Sequence, residues 1–313
     1  MTATATPLIL KRDLLTGTEW SPARLRDFFR RSAEMKAHPD RYRTALAGRV
    51  FVLLFEKPSL RTRVTFEVGI ANLGGSSIFL DHTSARLGER EPIRDIAKNL
   101  ERWVQGIVAR VFAQESLDEL AANANVPVIN ALSDKYHPCQ ALADFFTLEE
   151  RFGGLKALKV AYVGDGNNMC HSLLTIGARA GAHIRVATPG GYEPDATIVA
   201  EAKRVARETR GKIEILRSPE EAVAGAQAVY TDVWASMGQE GEAARREVAF
   251  AGYQVSEKLL SQAASDAVFL HCLPAHRGLE VTEGVIDSPR SIIYDQAENR
   301  LHVQKAILHS LLN

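Results

Sequence analysis

The stretch Leu158-Lys159-Val160-Ala161-Tyr162-Val163-Gly164-Asp165-Gly166-Asn167-Asn168-Met169 holds the fold in miniature. Residues 158–163, apolar but for Lys159, form a run of strand length. Two glycines around an acid break it, and residues from about 169 to 180 can continue as a helix. A strand that turns over glycine into a helix opens a βαβ unit. Upstream, residues 49–55 read as a buried strand, and 61–73 as a helix closed by Gly74-Gly75. Residues 77–80 and 106–112 read as further strands. Ser21-Pro22 opens a first helix, with a cap residue and then proline, and Leu25, Phe28, Phe29 and Ala33 follow at helical spacing. Residues 137–152 read as a helix that ends at Gly153-Gly154. Downstream, strands are predicted at 183–187, 212–216, 228–233 and 267–272, and a last helix at about 297–312.

Strands separated by helices imply right-handed crossovers and parallel sheets. The fold class is therefore α/β, and the strand count implies two domains, each a parallel β-sheet flanked by helices. The divide falls near residues 137–153, giving a first domain over 1–137 and a second over 138–296. Gly190-Gly191, between Pro189 and Pro194, reads as a loop, and the polar stretch 237–246 as a mobile surface loop.

Composition narrows the function. In 313 residues, 38 Lys and Arg balance 38 Asp and Glu, so the basic excess usual in a nucleic-acid binder is absent. At 46% apolar and 24% charged, the chain is that of a globular protein rather than an acidic disordered one. No apolar run nears the ~18–20 residues of a membrane helix. Cys139, Cys170 and Cys272 are far apart and form no C-x-x-C pair, which argues against a disulfide framework and a zinc knuckle. Lys11 is the first basic residue and no apolar core follows it, so no secretory signal is read, and a reduced, cytoplasmic protein is expected.

In open α/β sheets ligands bind beyond the C-terminal strand ends. After the strand at 49–55 come Glu56-Lys57-Pro58-Ser59-Leu60-Arg61-Thr62-Arg63 and a helix start. The free N–H groups of a helix N-terminus, hydroxyls from Ser59 and Thr62, and the Arg61 fork suit a doubly charged anion. The plainer alternative is a solvated loop with a Ser/Thr cap. Arg110 interrupts the apolar strand Ile107-Val108-Ala109-Arg110-Val111-Phe112; buried, it needs a partner or ligand. His137 and Gln140 share one helix face and could meet a carbonyl group; a lone histidine is otherwise a structural cap. Gly164-Asp165-Gly166 lacks the third glycine of a dinucleotide fingerprint, since Met169 stands there, so nicotinamide binding is not expected. Asn168 instead offers neutral donors and acceptors. Asp232, at a strand end before Ser236-Met237-Gly238, is either an ammonium ligand or a turn residue. Cys272, in His271-Cys272-Leu273-Pro274, is either reactive or a small buried hydrophobe. Arg300 is a surface ion-pair residue or one more anion ligand. The first half thus offers cations, and the second acid, amide and thiol. That division suits a phosphate-bearing substrate in one domain and an amine in the other.

Taken in order, Phe55 to Arg63, His137-Pro138-Cys139-Gln140, Gly164 to Asn168, Asp232 to Gly238 and His271 to Pro274 resemble the aspartate/ornithine carbamoyltransferase family along nearly the whole chain. Ser236-Met237-Gly238 favours the ornithine-using branch. The resemblance implies carbamoyl phosphate in the first domain and L-ornithine in the second, with citrulline and phosphate as products of arginine metabolism. It implies that the last helix, 297–313, packs back on the first domain. It also implies a homotrimer with sites at subunit interfaces, and neither cofactor nor metal. By the same resemblance, Ser59, Leu60, Arg61 and Thr62 bind phosphate, and Arg110, His137 and Thr62 polarise the carbamoyl oxygen. Gln140 takes the carbamoyl NH2, and Leu273 and Arg300 complete that pocket. Asn168, Asp232, Ser236 and Met237 bind ornithine, and Asp232 and Cys272 place its side-chain amine. Leu60 stands where the family most often has Thr, so a hydroxyl contact is lost there. Arg86 stands where Gln or His is common, in a loop that reaches a neighbouring subunit's phosphate site. Rival readings are a carbamoyltransferase for another amine such as putrescine, a catalytically silent regulatory homologue, and a nicotinamide enzyme.

Overall fold

The computed structural model describes residues 12–235 and 240–312. In chain order the elements are α1 (Pro22–Ala37), β1 (Val50–Phe55), α2 (Leu60–Asn72), β2 (Ser76–Asp81), α3 (Ile93–Trp103), β3 (Gly106–Arg110), α4 (Gln114–Asn123), β4 (Val128–Leu132) and α5 (Pro138–Phe152). Then come β5 (Lys159–Val163), α6 (Asn168–Ala180), β6 (His183–Ala187), α7 (Ala196–Thr209), β7 (Lys212–Leu216), α8 (Pro219–Val223), β8 (Ala228–Thr231), α9 (Ala243–Phe250), α10 (Glu257–Leu260), β9 (Val268–His271), α11 (Glu283–Ile286) and α12 (Ile293–Leu312).

Two parallel sheets result, ordered β2-β1-β3-β4 and β7-β6-β5-β8-β9, and helices flank both, as the alternation predicts. The local signals act as their chemistry requires. Ser21 Oγ accepts the Arg24 N–H ahead of Pro22, and Asn167 Oδ1 accepts the N–H groups of Met169 and Cys170 at the start of α6. Gly153 ends α5 at φ +70°, a left-handed conformation that a side chain disfavours.

The largest core runs from one face of the first sheet (Phe51, Leu53, Phe55, Val108) through α1, α5, α6 and α12 to the second sheet (Val160, Tyr162, Ile184). Each sheet also has a core on its outer face. Residues 237–246 are not simply a surface loop. Ser236–Gln239 lie outside the described residues, but Ala243 onward is the helix α9, because Arg246 and Phe250 turn one buried face inward. The last helix starts at Ile293 rather than near 297, and it packs on α5, α2 and α1. The strand predicted at 106–112 ends at Arg110, which pairs with Leu132 just past a register shift against β4.

Candidate active site

The C-terminal ends of both sheets face one cleft of about 890 Å³. Ser59, Leu60, Arg61, Thr62, Arg86, Arg110, His137, Gln140, Asn168, Asp232, Cys272, Leu273 and Arg300 all line it. The predicted positions Ser236 and Met237 lie outside the described residues.

One wall is cationic. Ser59 caps α2 by accepting the Thr62 N–H at 3.3 Å, which aims the first turn at the cleft. Arg61 sits in that turn, and Leu60, its first residue, is 74% exposed. Arg110, at the end of β3, is buried; burial first, then Arg300, pulls its pKa down to about 9. Arg300, from α12, donates to Gln140 Oε1 and, at 3.2 Å, to Thr62 Oγ1. Among the described residues, none of these three arginines forms an ion pair with a carboxylate. Clustered, desolvated cations of this kind are stabilised by a bound anion. His137 stands just before α5. Its backbone N–H donates to Ser172 Oγ at 2.7 Å, and its imidazole is pushed well below its ordinary pKa, by burial first and then by Arg300 and Arg110. The ring is therefore neutral and able to donate one hydrogen bond to an oxygen.

The opposite wall is acidic. The Cys272 thiol donates to Asp232 Oδ1 at 3.0 Å, and Asn167 Nδ2 donates to Oδ2 at 2.9 Å. Burial, then Asp232, drives the thiol pKa well above its usual value, so Cys272 is a protonated donor here. Asn168 donates to Ser133 O at 2.7 Å, which ties α6 to the loop after β4. Leu273, at φ +60°, precedes a cis proline, and its N–H donates to His271 Nδ1 at 2.8 Å.

Asp232, His271 and Cys272 bring donor atoms within 4.8 Å of one another. Both His271 nitrogens are engaged, however: Nδ1 accepts from Leu273, and Nε2 lies 3.2 Å from Glu280 Oε1. A metal there would have to break that turn.

The structure adds residues that sequence reasoning left unassigned. Lys57 is one, buried with its ammonium 4.4 Å from the Phe112 ring; Arg86, already expected at a phosphate site, lies 4.5 Å from the same ring at the cleft edge. Arg246, buried on α9, donates to Asp165 Oδ2 and to Trp234 O, both at 2.8 Å. Gln140 Nε2 donates to the buried Asp144 at 2.8 Å. A lone acid within the buried part of α5 was the available signal for Asp144. Arg246 gave none, since Glu242 four residues earlier makes it look like an exposed helical pair.

Cations at a helix N-terminus on one side and an acid and a thiol on the other define a group-transfer site for an anionic donor and an amine. Family models match both halves of the chain. They are the carbamoyl-P binding domain of aspartate/ornithine carbamoyltransferase over residues 12–150, and its Asp/Orn binding domain over 156–311. The chain belongs to the aspartate/ornithine carbamoyltransferase family. Among its relatives, the ornithine carbamoyltransferase of Thermus thermophilus is 52% identical over 97% of this chain and 98% of its own length. That of Anoxybacillus flavithermus is 50% identical over the full length of both. The solved ornithine carbamoyltransferase from Pyrococcus furiosus superposes with a TM-score of 0.92 at 47% identity, covering 96% of each chain.

Proposed function

We propose that this protein transfers the carbamoyl group of carbamoyl phosphate to the side-chain amine of L-ornithine, giving L-citrulline and phosphate. One observation carries the reading: Arg61, Arg110, Arg300 and the α2 N-terminus share one cleft with Asp232 and Cys272. Ser59, Arg61, Thr62 and the Leu60 N–H hold the phosphate. Arg110, His137 and Thr62 donate to the carbamoyl oxygen, where negative charge grows as the amine nitrogen attacks the carbon. The bond from carbon to phosphate oxygen then breaks, and the departing phosphate takes the proton the amine gives up. Gln140, the Leu273 carbonyl and Arg300 orient the carbamoyl group. Asn168, Asp232, Ser236 and Met237 hold the amino acid, and Asp232 with Cys272 positions its neutral amine.

In the same reading residues 1–137 form the carbamoyl phosphate domain and 138–296 the ornithine domain, with 297–313 returning to the first. Assembly is a homotrimer. Leu60, Val64 and Val68 support this: they are exposed along one stripe of α2, and Ile78 is exposed on the edge strand β2. Arg86 then reaches a neighbour's phosphate. The reading places the enzyme in the reducing cytoplasm, which suits its three free cysteines. Citrulline formation is measured with ornithine, acetylornithine, putrescine and lysine as separate acceptors. Selective use of ornithine is expected. Turnover of another amine alone overturns the acceptor assignment, and no turnover with any of them overturns the transferase reading.

A further inference from the structure

Behind the cleft, one turn along α5 from Gln140, the Asp144 carboxyl is wholly buried and meets amides and a phenol rather than a cation. Its Oδ1 accepts from Gln140 Nε2 at 2.8 Å and from Gln296 Nε2 at 2.7 Å, and its Oδ2 accepts from Tyr230 OH at 3.1 Å. The three partners come from α5, α12 and β8, so the carboxyl is held from three directions. A glutamine amide fits its space equally well turned end for end, and only its neighbours decide which end points where. Turned the other way, Gln140 would aim its NH2 at the Arg300 guanidinium and its oxygen at the Asp144 carboxyl, losing both bonds.

We infer that Asp144 is a positioning residue for the donor-substrate pocket: by accepting the Gln140 amide N–H it fixes the Gln140 oxygen toward Arg300 and the cleft. This makes the pocket select a hydrogen-bond donor, the NH2 of a carbamoyl group, over a methyl group of similar size. The inference rests on the proposed reading of the site and deepens it. A buried acceptor left without its donor is costly, which is how such a site rejects the analogue that lacks the group. Burial raises the Asp144 pKa to about 7. When the carboxyl is protonated on Oδ2, toward the Tyr230 oxygen, Oδ1 still accepts, so the positioning survives in either state.

The test titrates the full-length protein with carbamoyl phosphate, acetyl phosphate and inorganic phosphate in turn. Wild type is expected to bind carbamoyl phosphate more tightly than acetyl phosphate. Asp144→Ala should weaken carbamoyl phosphate by roughly tenfold, leave the other two within about twofold, and so erase the discrimination. Asp144→Ser, whose cavity can hold a water, should do the same and serves if the alanine variant does not fold. Asp144→Asn keeps an acceptor at Oδ1 and should restore the preference. Equal weakening of all three ligands, or unchanged discrimination in Asp144→Ala or Asp144→Ser, overturns the inference while leaving the site's function intact. A wild-type protein that binds phosphate but not carbamoyl phosphate overturns both.

Discussion

Arg246 Nη1 donates to Asp165 Oδ2 at 2.8 Å, and both side chains are less than a tenth exposed. The pair fastens α9, the helix after the acceptor loop, to the glycine turn that ends β5. Burial outweighs the guanidinium and raises the Asp165 pKa to about 6 from an ordinary 3.8. The folded state then holds this proton more tightly than the unfolded chain, so this group's contribution to stability falls as pH rises from 3.8 to about 6. Arg246→Ala removes the compensating charge and should cost about 3 kcal/mol at pH 8, with a smaller loss at pH 5. Chemical denaturation at both pH values measures this; equal losses at the two would refute it.

A methyl group on Gly166 would sit 2.2 Å from Pro194 N and 2.6 Å from Tyr192 O. Both are backbone atoms, and the Gly166 N–H already donates to that Tyr192 oxygen at 2.9 Å. Gly166→Ala should therefore displace the loop at 189–194 and cost about 2–3 kcal/mol, as overpacking does. It should raise KM for ornithine more than KM for carbamoyl phosphate, because the displaced wall is the acceptor side. Steady-state kinetics on both substrates decide it.

The attacking amine must lose its proton, whereas His137 is already neutral because burial and its arginine neighbours depress its pKa. Activity should rise with pH from roughly 6 to about 9, with no inflection owed to His137. A flat profile in that range would contradict the assigned chemistry.

Cys272 donates to Asp232 with a thiol that burial keeps protonated. Cys272→Ser keeps the donor and should retain most activity. Cys272→Ala should lower kcat by about a hundredfold. Intact-mass measurement after incubation with carbamoyl phosphate should show no added mass. A carbamoylated Cys272 would replace this role with a nucleophilic one.

Arg61 stands in the first turn of α2 with no carboxylate partner among the described residues. Arg61→Leu should raise the Kd for carbamoyl phosphate by about a hundredfold while thermal stability is held or improved, since it removes a desolvated cation. Near-normal affinity by calorimetry would sink the role.

Strands such as β1 were legible because burial on both faces writes itself as an unbroken apolar run. α3 was missed although Ile93, Ala97 and Leu100 form its buried stripe. β4 was missed because Asn130 interrupts it; that side chain is buried, and its Nδ2 donates to Leu15 O at 2.7 Å, a partner 115 residues away. Ser59 to Thr62, Arg110, Asp232 and Cys272 could be found because they end or follow a strand, where an open sheet must place its ligands, whereas Arg300 lies inside α12 and its role came from the family resemblance. Asp144 and Arg246 escaped for the opposite reason. Each lies inside a helix: Arg246 matters through Asp165 on another element, and Asp144 through Gln140 one turn away on its own helix.

α12 runs past the cleft and supplies Arg300 and Gln296. The ribosome makes it after every strand of both sheets. Until it is made, Gln140 and Asp144 lack their α12 partners, and the core between the sheets lacks Val303 and Ile307. The anion pocket closes only when this last helix docks, so an unfinished chain should not capture the donor substrate.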